Sequence, residues 1–236
     1  MAFQRKMKKI REKRLTADQQ RKMFIDASQR LYRLFKPPVR IFSIDPSRNS
    51  LGWASHCGEG VNYGTIVPEM GISTTFKKVV SVTDQLMVIL DLFRPKFILM
   101  EDYSYGSSTG REMAGETQGC IKYHLSKRHL PVIQPSPHQV KNFVGASAKS
   151  HIMMEVLDKW KLKTKTDDEA DAIIQVMIGL VMFRVVARVV KCGMKSDNVA
   201  ALKKDWRKIC KAENLSRLQE QTIFRLIMKK GRKIWL

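Results

Sequence analysis

The stretch "TDDEADAIIQVMIGLVMF", residues 166–183, decides the fold of this chain. It gathers four acids within its first six residues and then continues as an almost unbroken apolar run. The run predicts a buried helix from about 167 to 190. Asp168 and Asp171 are three residues apart and therefore share one helix face, whereas Asp167 and Glu169 are expected to serve the helix N-terminus. A pair of carboxylates thus stands at the entrance to the core helix.

The acids are unexpected because the chain as a whole is strongly basic. Its 236 residues include 43 Lys+Arg against 22 Asp+Glu, a net charge of +21. Residues 1–40 carry +10 and residues 184–236 carry +11, so the middle, 41–183, is neutral. Such an excess indicates a polyanionic partner, and its position assigns the contact with phosphates to the two ends of the chain.

Several classes of protein do not fit the composition. The four cysteines are scattered without a Cys-x-x-Cys pair, which argues against a disulfide framework or a zinc site. The charged N-terminus has no apolar region behind it, so it is not a secretory signal. The run 172–183 is interrupted by Gln175 and is typical of a core helix, not a membrane span. We therefore expect a soluble, cytoplasmic protein with no membrane partner and no small-molecule cofactor.

The periodicity of apolar residues predicts an α/β protein. Three short β-like runs separated by turn residues indicate an antiparallel meander, at 39–45, 51–57 and 60–67. Two further strands are expected at 96–101 and 130–135, with helices at 75–93, 110–128, 137–144 and 149–160. This order predicts a mixed five-stranded sheet flanked by helices. The expected domains are a basic helical N-terminal extension (1–38), an α/β domain (39–190) and a basic helical C-terminal extension (191–236).

Two more acids stand at the ends of predicted strands. Asp45 closes "IFSID" and Glu101 closes "FILME". A right-handed crossover would make these two strands parallel neighbours, so both carboxylates would reach the sheet rim where α/β proteins bind ligands. Each acid alone is also compatible with a turn or a helix cap. Together with Asp168 and Asp171 they suit Mg²⁺ or Mn²⁺, and two such ions can activate a water and stabilise the leaving oxygen of a phosphodiester.

Four motifs in the chain resemble those of a known family. They are "IFSIDPSRNSLGWA" (41–54), "FILMEDYSYG" (97–106), "PSPHQVKNFVGASAKS" (135–150) and "DDEADAIIQ" (167–175). In order and spacing they resemble the motifs of RuvC-type Holliday junction resolvases of the RNase H-like superfamily, over roughly 39–183. The resemblance implies a structure-selective endodeoxyribonuclease that cuts four-way junctions and other branched DNA by metal-dependent hydrolysis, giving paired nicks. It also implies Mg²⁺, with Mn²⁺ substituting, and two ions per active site.

The resemblance assigns roles to individual residues. The metal-binding and catalytic carboxylates would be Asp45, Glu101, Asp168 and Asp171. Lys141 and Lys149 would approach the scissile phosphate, where a fixed ammonium offsets developing charge. Tyr103 and Tyr105 follow Glu101 and would either stack on an unpaired base at a branch point or pack a loop onto the sheet edge.

The resemblance also bears on assembly and origin. Helix 110–128 contains the small residues Ala114, Gly115 and Gly119, which permit close backbone approach. Members of this family dimerise through the corresponding element, and a two-fold homodimer suits paired nicks in a four-way junction. The two basic extensions look like those of a bacteriophage member, and they put the preferred branched substrate in doubt.

Two alternatives from other classes stay open at this stage. The first is a non-catalytic DNA-binding or architectural protein on the same fold, against which the presence of all four acids and both lysines argues. The second is an ATPase like the sugar kinases and actin, but "DPSRNSLG" offers a single glycine where phosphate loops need several. The amphipathic segment 201–236 is expected to hold phosphates outside the active site, and a calmodulin-like or membrane-surface target is its alternative.

Overall fold

A computed structural model describes residues 17–34, 39–47, 50–58, 60–102, 111–145, 149–191 and 199–230. The strands are β1 (Ile41–Pro46), β2 (Leu51–His56), β3 (Val61–Ile66), β4 (Phe97–Met100) and β5 (Val132–Ile133). The helices are α1 (Ala17–Leu34), α2 (Thr75–Phe93), α3 (Arg111–Lys127), α4 (Pro137–Val144), α5 (Lys149–Trp160), α6 (Asp167–Lys191), α7 (Val199–Ala212) and α8 (Arg217–Lys230). The predicted order is confirmed. β5 is shorter than expected because Pro131 and Pro135, which flank it, have no N–H to donate.

The five strands form one mixed sheet in the order β3-β2-β1-β4-β5. β2 pairs antiparallel with both β1 and β3, whereas β1, β4 and β5 are parallel to one another. Ile44 lies opposite Met100, and Asp45 lies opposite Gly52. The C-terminal ends of β1, β4 and β5 therefore open on one rim, which confirms the α/β architecture and the parallel pairing of the first and fourth strands.

Helix α6 covers one face of the sheet at close range. It packs against β1, β2 and β3. The buried Ser43 hydroxyl donates a hydrogen bond to the Ala172 carbonyl oxygen at 2.6 Å, which fixes the helix over β1. Gly179 allows the approach, because a Cβ atom there would lie 2.8 Å from a methyl of Leu99. Strand alternation sends Ile41 and Leu99 toward this helix.

The opposite face of the sheet is covered by α2 and α3. Phe42, Ile44 and Ile98 point to this side and form a second hydrophobic cluster with residues of the two helices. The rings of Phe42 and Trp53 stack with centroids 5.7 Å apart, and Phe93 of α2 closes the group. The sheet is thus buried on both faces, as its near-continuous apolar strands predict.

The helices at the two ends of the chain form a further layer against α6. α1, α7 and α8 all pack on α6, and α8 also packs on α4. Phe24 of α1 lies 5.3 Å from Trp206 and 5.3 Å from Phe224, measured between ring centroids. The single C-terminal helical segment of the prediction is two helices, separated by a turn in which Asn214 has a φ of 53°. These helices share one hydrophobic cluster with the sheet, and the three domain boundaries remain a prediction.

Within the part of the chain that the structure describes, α6 is the one helix long and apolar enough to cross a bilayer by length and composition. Of its most apolar stretch, 61% is buried inside the protein. The same properties characterise a helix at the centre of a hydrophobic core, which is the position that α6 occupies between the sheet and the terminal helices.

Candidate active site at the strand rim

At the rim, Gly52 of β2 lies in close contact with the backbone of Asp168 in α6. Asp45 is the last but one residue of β1, is 8% exposed, and pairs with Gly52 across the antiparallel ladder. A Cβ atom at position 52 would lie 2.1 Å from the Asp168 carbonyl oxygen. No residue other than glycine therefore allows the first turn of α6 to sit on β2 here. The contact brings the end of β1 and the start of α6 to the same place.

The first turn of α6 separates its acids into two groups. The Thr166 hydroxyl accepts a hydrogen bond from the Glu169 N–H at 3.2 Å, which caps the helix. The Glu169 carboxylate accepts from the Lys165 N–H at 2.7 Å and from the Thr65 hydroxyl of β3 at 3.1 Å. Glu169 thus serves the helix N-terminus, as predicted, and anchors it to the sheet. Asp168 and Asp171 remain for another role.

Asp168 is held by two hydroxyls from the β1–β2 turn. Ser47 donates to its Oδ2 atom at 3.0 Å, and Ser50 donates to the same oxygen. The Ser47 backbone N–H also donates to the Ser50 carbonyl oxygen at 3.0 Å, which tightens the turn. Sequence analysis missed both serines, although their spacing after "DP" is a signal for a hydroxyl-bearing turn. Asp171 lies one helical turn deeper and is 9% exposed.

Glu101 reaches the rim through backbone bonds that extend the sheet beyond β4. Its N–H donates to the Ile44 carbonyl oxygen at 3.1 Å, and the next N–H, of Asp102, donates to the Pro135 carbonyl oxygen at 2.8 Å. The Gln118 amide of α3 donates to the Glu101 carbonyl oxygen at 3.0 Å. Gln118 is 3% exposed and was not foreseen, because a glutamine within an irregular helical pattern carries no signal of its own.

Of the predicted lysines and tyrosines, the structure describes the side chain of Lys141 alone. α4 starts beyond the end of β5 with a capping box between Ser136 and Gln139, and Lys141 lies within this helix. Lys149 is the first residue of α5, and its side chain lies outside the described residues, as do Tyr103 and Tyr105. The roles of these four residues stay predictions.

One cation of α3 has a perturbed pKa close to the rim. Burial lowers the pKa of Lys122 from its ordinary value, and the nearby Asp102 carboxylate raises it in part. Asp102 directly follows Glu101, so Lys122 lies near the strand end that carries the predicted ligand.

The elements that carry the rim carboxylates lie close together, but the carboxylate oxygens do not form a cluster among the described residues. In the described ranges, no set of three or more His, Cys, Asp or Glu side chains is close enough together to hold an ion. Asp168 accepts hydrogen bonds from the hydroxyls of Ser47 and Ser50. The donor set consists of carboxylate oxygens on elements already in contact. It therefore fits a hard divalent cation such as Mg²⁺.

The sheet topology and the acidic rim together define a class. A mixed five-stranded sheet in the order β3-β2-β1-β4-β5, with acids at the ends of β1 and β4 and at the start of a helix packed across the sheet, is an RNase H-like α/β domain. Within that class, the chain is similar in sequence to RuvC-type resolvases, the family that its motifs resemble. It is 28% identical over 144 residues to the crossover junction endodeoxyribonuclease RuvC of Pseudothermotoga lettingae, covering 56% of this chain and 88% of the relative.

Similarity to further proteins is lower. The RuvC protein of Thermomicrobium roseum is 22% identical over 145 residues, covering 57% of this chain and 88% of that protein. Among solved structures, Thermus thermophilus RuvC in complex with a Holliday junction substrate has a TM-score of 0.49 and 19% identity, covering 58% of this chain and 88% of that chain. The yeast mitochondrial Holliday junction resolvase has a TM-score of 0.41 and 14% identity, covering 80% and 96% respectively. No protein-family model matches the chain. The predicted bacteriophage origin is not confirmed, because these relatives are bacterial and yeast proteins.

Proposed function

We propose that this chain is a structure-selective endodeoxyribonuclease that resolves Holliday junctions and other branched DNA by hydrolysing phosphodiesters to give paired nicks. The observation that carries the proposal is the approach of Asp168 to Gly52, the register partner of Asp45. The chain would act where such DNA is processed, in the cytoplasm of a bacterial or phage-infected cell.

The rim carboxylates are the proposed metal ligands. Asp45, Glu101, Asp168 and Asp171 would hold two Mg²⁺ ions, with Mn²⁺ as a substitute. Bound there, divalent cations would lower the pKa of a water and offset negative charge on the leaving oxygen. The acids stand at the ends of β1 and β4 and at the start of α6, three elements that pack against one another.

Other residues of the chain position the ligands and the phosphate. Gly52 lets α6 reach the rim, and Gln118 fixes the carbonyl group of Glu101. Ser47 and Ser50 donate hydrogen bonds to Asp168 and hold its side chain at the rim. Lys141 and Lys149 would offset charge on the scissile phosphate, and Tyr103 or Tyr105 would stack on an unpaired base.

A homodimer is the proposed assembly, because two symmetric nicks require two active sites. Gly119 of α3 supports it: the glycine is exposed, and a Cβ atom there would meet no atom within 4 Å, so a second copy has room to approach. Sedimentation of the purified protein should show a dimer, and a large residue at Gly119 should weaken it. A strict monomer that still makes paired nicks would contradict this part of the proposal.

The test of the activity is a comparison of substrates. Labelled four-way junction, flap and linear duplex are incubated with the protein in Mg²⁺ and in EDTA. We expect cleavage of the junction in Mg²⁺, little cleavage of linear duplex, and none in EDTA. Junction binding without cleavage in either Mg²⁺ or Mn²⁺ would instead establish the non-catalytic architectural alternative.

A further inference from the structure

Helix α7 carries its positive charge on the side opposite to its packed side. Trp206, Ile209 and Cys210 are buried against the rest of the protein. Lys204, Arg207, Lys208 and Lys211 are exposed, and their spacing keeps them within about 100° of the helix circumference at 3.6 residues per turn. We call Lys204, Arg207 and Lys211 the α7 stripe. Lys208, on its flank, lies 3.9 Å from Asp205.

The first acid after α7 in the chain pairs with two cations of another helix. Glu213 follows α7, and its side chain is 8% exposed. It pairs with Arg184 of α6 at 3.1 Å and also with Arg188. These bonds fix the end of α7 on α6. They also remove Glu213 as a competitor for the lysine and arginine side chains of the stripe.

A groove of 770 Å³ adjoins the stripe between α7 and α8. Arg207 and Lys211 line it from α7, and Arg217 lines it from the start of α8. Glu220 lies on the same groove and faces Cys210, whose pKa is raised to about 12 by burial first and by Glu220 second. Three cations against one acid leave the groove positive.

The distance from the stripe to the rim follows from the length of α6. Arg188, which holds Glu213, is about 30 Å along the helix from Asp168 at 1.5 Å per residue, and Arg184 is about 24 Å along it. Duplex DNA has one phosphate per strand for about each 3.4 Å of its axis. For a duplex that lies parallel to α6, this separation of about 24–30 Å corresponds to about eight base pairs between a phosphate at the rim and the end of the stripe.

We propose that the α7 stripe, with Arg217, is a second DNA-binding surface that holds the phosphate backbone of one duplex arm about eight base pairs from the cleavage site. The inference rests on the proposed function, because it takes branched DNA as the substrate of the rim. The positive charge of the stripe favours a polyanion as its partner. The apolar side of α7 cannot bind another partner, because it is buried in the core.

The matched experiment compares two triple variants that remove the same charge. The first replaces the α7 stripe, Lys204→Gln, Arg207→Gln and Lys211→Gln. The second replaces cations of α2 and its C-cap on the other side of the sheet, Lys77→Gln, Lys78→Gln and Arg94→Gln. Binding of both and of the wild-type protein is measured over a salt series on junctions with arms of about 6 and about 15 base pairs, in Ca²⁺ so that no cutting occurs.

On the long arms, the stripe variant should bind roughly tenfold more weakly than wild type, with a salt slope flatter by about two to three units, since each lost phosphate contact contributes about 0.9. On the short arms it should bind like wild type, because those arms end before the stripe. The α2 variant should follow wild type on both substrates. An equal loss for both variants, or a loss that does not depend on arm length, would overturn the inference.

Two further measurements test the junction selectivity of the protein and a membrane surface as the alternative partner of the stripe. If the wild-type protein binds linear duplex and junction of equal length with equal affinity, the proposed junction selectivity fails, while the comparison of variants still tests the stripe. Flotation with anionic phosphatidylserine vesicles tests a membrane surface as the occupant. Vesicle binding that the stripe variant alone loses, without any effect on long-arm DNA, would assign the surface to lipid and overturn the inference.

Discussion

The strand rim and the terminal helices place charge on the protein in opposite ways. At the rim, acids come from the neutral middle of the chain and stand at the ends of β1 and β4 and at the start of α6. In α7, cations lie on the outer side of a helix whose inner side is core. The rim needs each carboxylate at a fixed place, because chemistry depends on geometry. A surface that binds a phosphate backbone needs the sign and spacing of its charge only.

The comparison also shows that the basic ends of the chain contribute residues to the hydrophobic core. Phe24 and Leu31 of α1 and Trp206 of α7 are buried in the same cluster as Val185 of α6. Helices α1 and α7, which lie in the two basic ends of the chain, are therefore part of what covers the core helix. Deleting 1–36 or truncating after 195 would expose that apolar surface and unfold the protein, so the charge is better removed by substitution.

The largest expected effect tests whether the terminal helices belong to the core. Trp206→Ala removes a buried ring in contact with Phe24 and Phe224, and should lower the free energy of unfolding by about 3–5 kcal/mol. Phe76→Ala is the control, since Phe76 is 73% exposed and its loss should cost less than about 0.5 kcal/mol. Urea denaturation measures both. Equal midpoints for Trp206→Ala and wild type would show that α7 only rests on the surface.

The thiol of Cys210 reports the same packing without denaturant. Burial, with Glu220, raises its pKa to about 12, so the reactive thiolate is scarce near neutral pH and should increase only as the pH rises toward that value. Cys57 is exposed and serves as the internal reference. Alkylation of Cys210 should be slow in wild type and faster in Trp206→Ala.

The next effect concerns the rim. Asp45→Asn and Asp168→Asn should each reduce single-turnover cleavage by about a hundredfold or more, because a preorganised electrostatic group is lost from the transition state. Junction binding should stay near wild type or become tighter, since the acids repel phosphates. Asp167→Asn is the control from the same helical turn and should cut like wild type. Full cleavage by both rim variants would show that the carboxylates do not hold the catalytic ions.

How much of the fold and of the site could be predicted depended on how far apart in the chain the interacting residues lie. The elements, the parallel pairing of β1 with β4 and the role of Glu169 followed from local periodicity and from topology. The partner of each amphipathic face did not: the pattern in 201–236 identifies an apolar side but not that Phe24 would pack on it. The supports from Ser47 and Gln118 were missed for the same reason, because they join residues far apart in the chain.

The last prediction compares substitutions of two glycines that lie under α6. Gly52 is at the rim and Gly179 is in the core. In Gly52→Ala the new methyl group meets the Asp168 backbone, which cannot move without the helix. We expect a loss of about 1–3 kcal/mol in the free energy of unfolding. A shift of the first turn of α6 by about 1 Å should also reduce cleavage by roughly a hundredfold, because the ligand oxygens would be misplaced.

Gly179→Ala tests whether that loss of cleavage comes from the rim or from any crowding beneath α6. Its methyl group meets the ends of the Leu99 and Ile41 side chains, which can adjust, so the loss of stability should be smaller than for Gly52→Ala. Position 179 is about 16 Å along the helix from Asp168 at 1.5 Å per residue, so cleavage by the folded protein should be retained. Urea denaturation and single-turnover cutting of both variants give the answer. If both lose stability and cleavage in the same proportion, the close approach at Gly52 matters only for folding. If Gly52→Ala alone loses cleavage beyond its loss of stability, the glycine sets the position of Asp168 relative to Asp45.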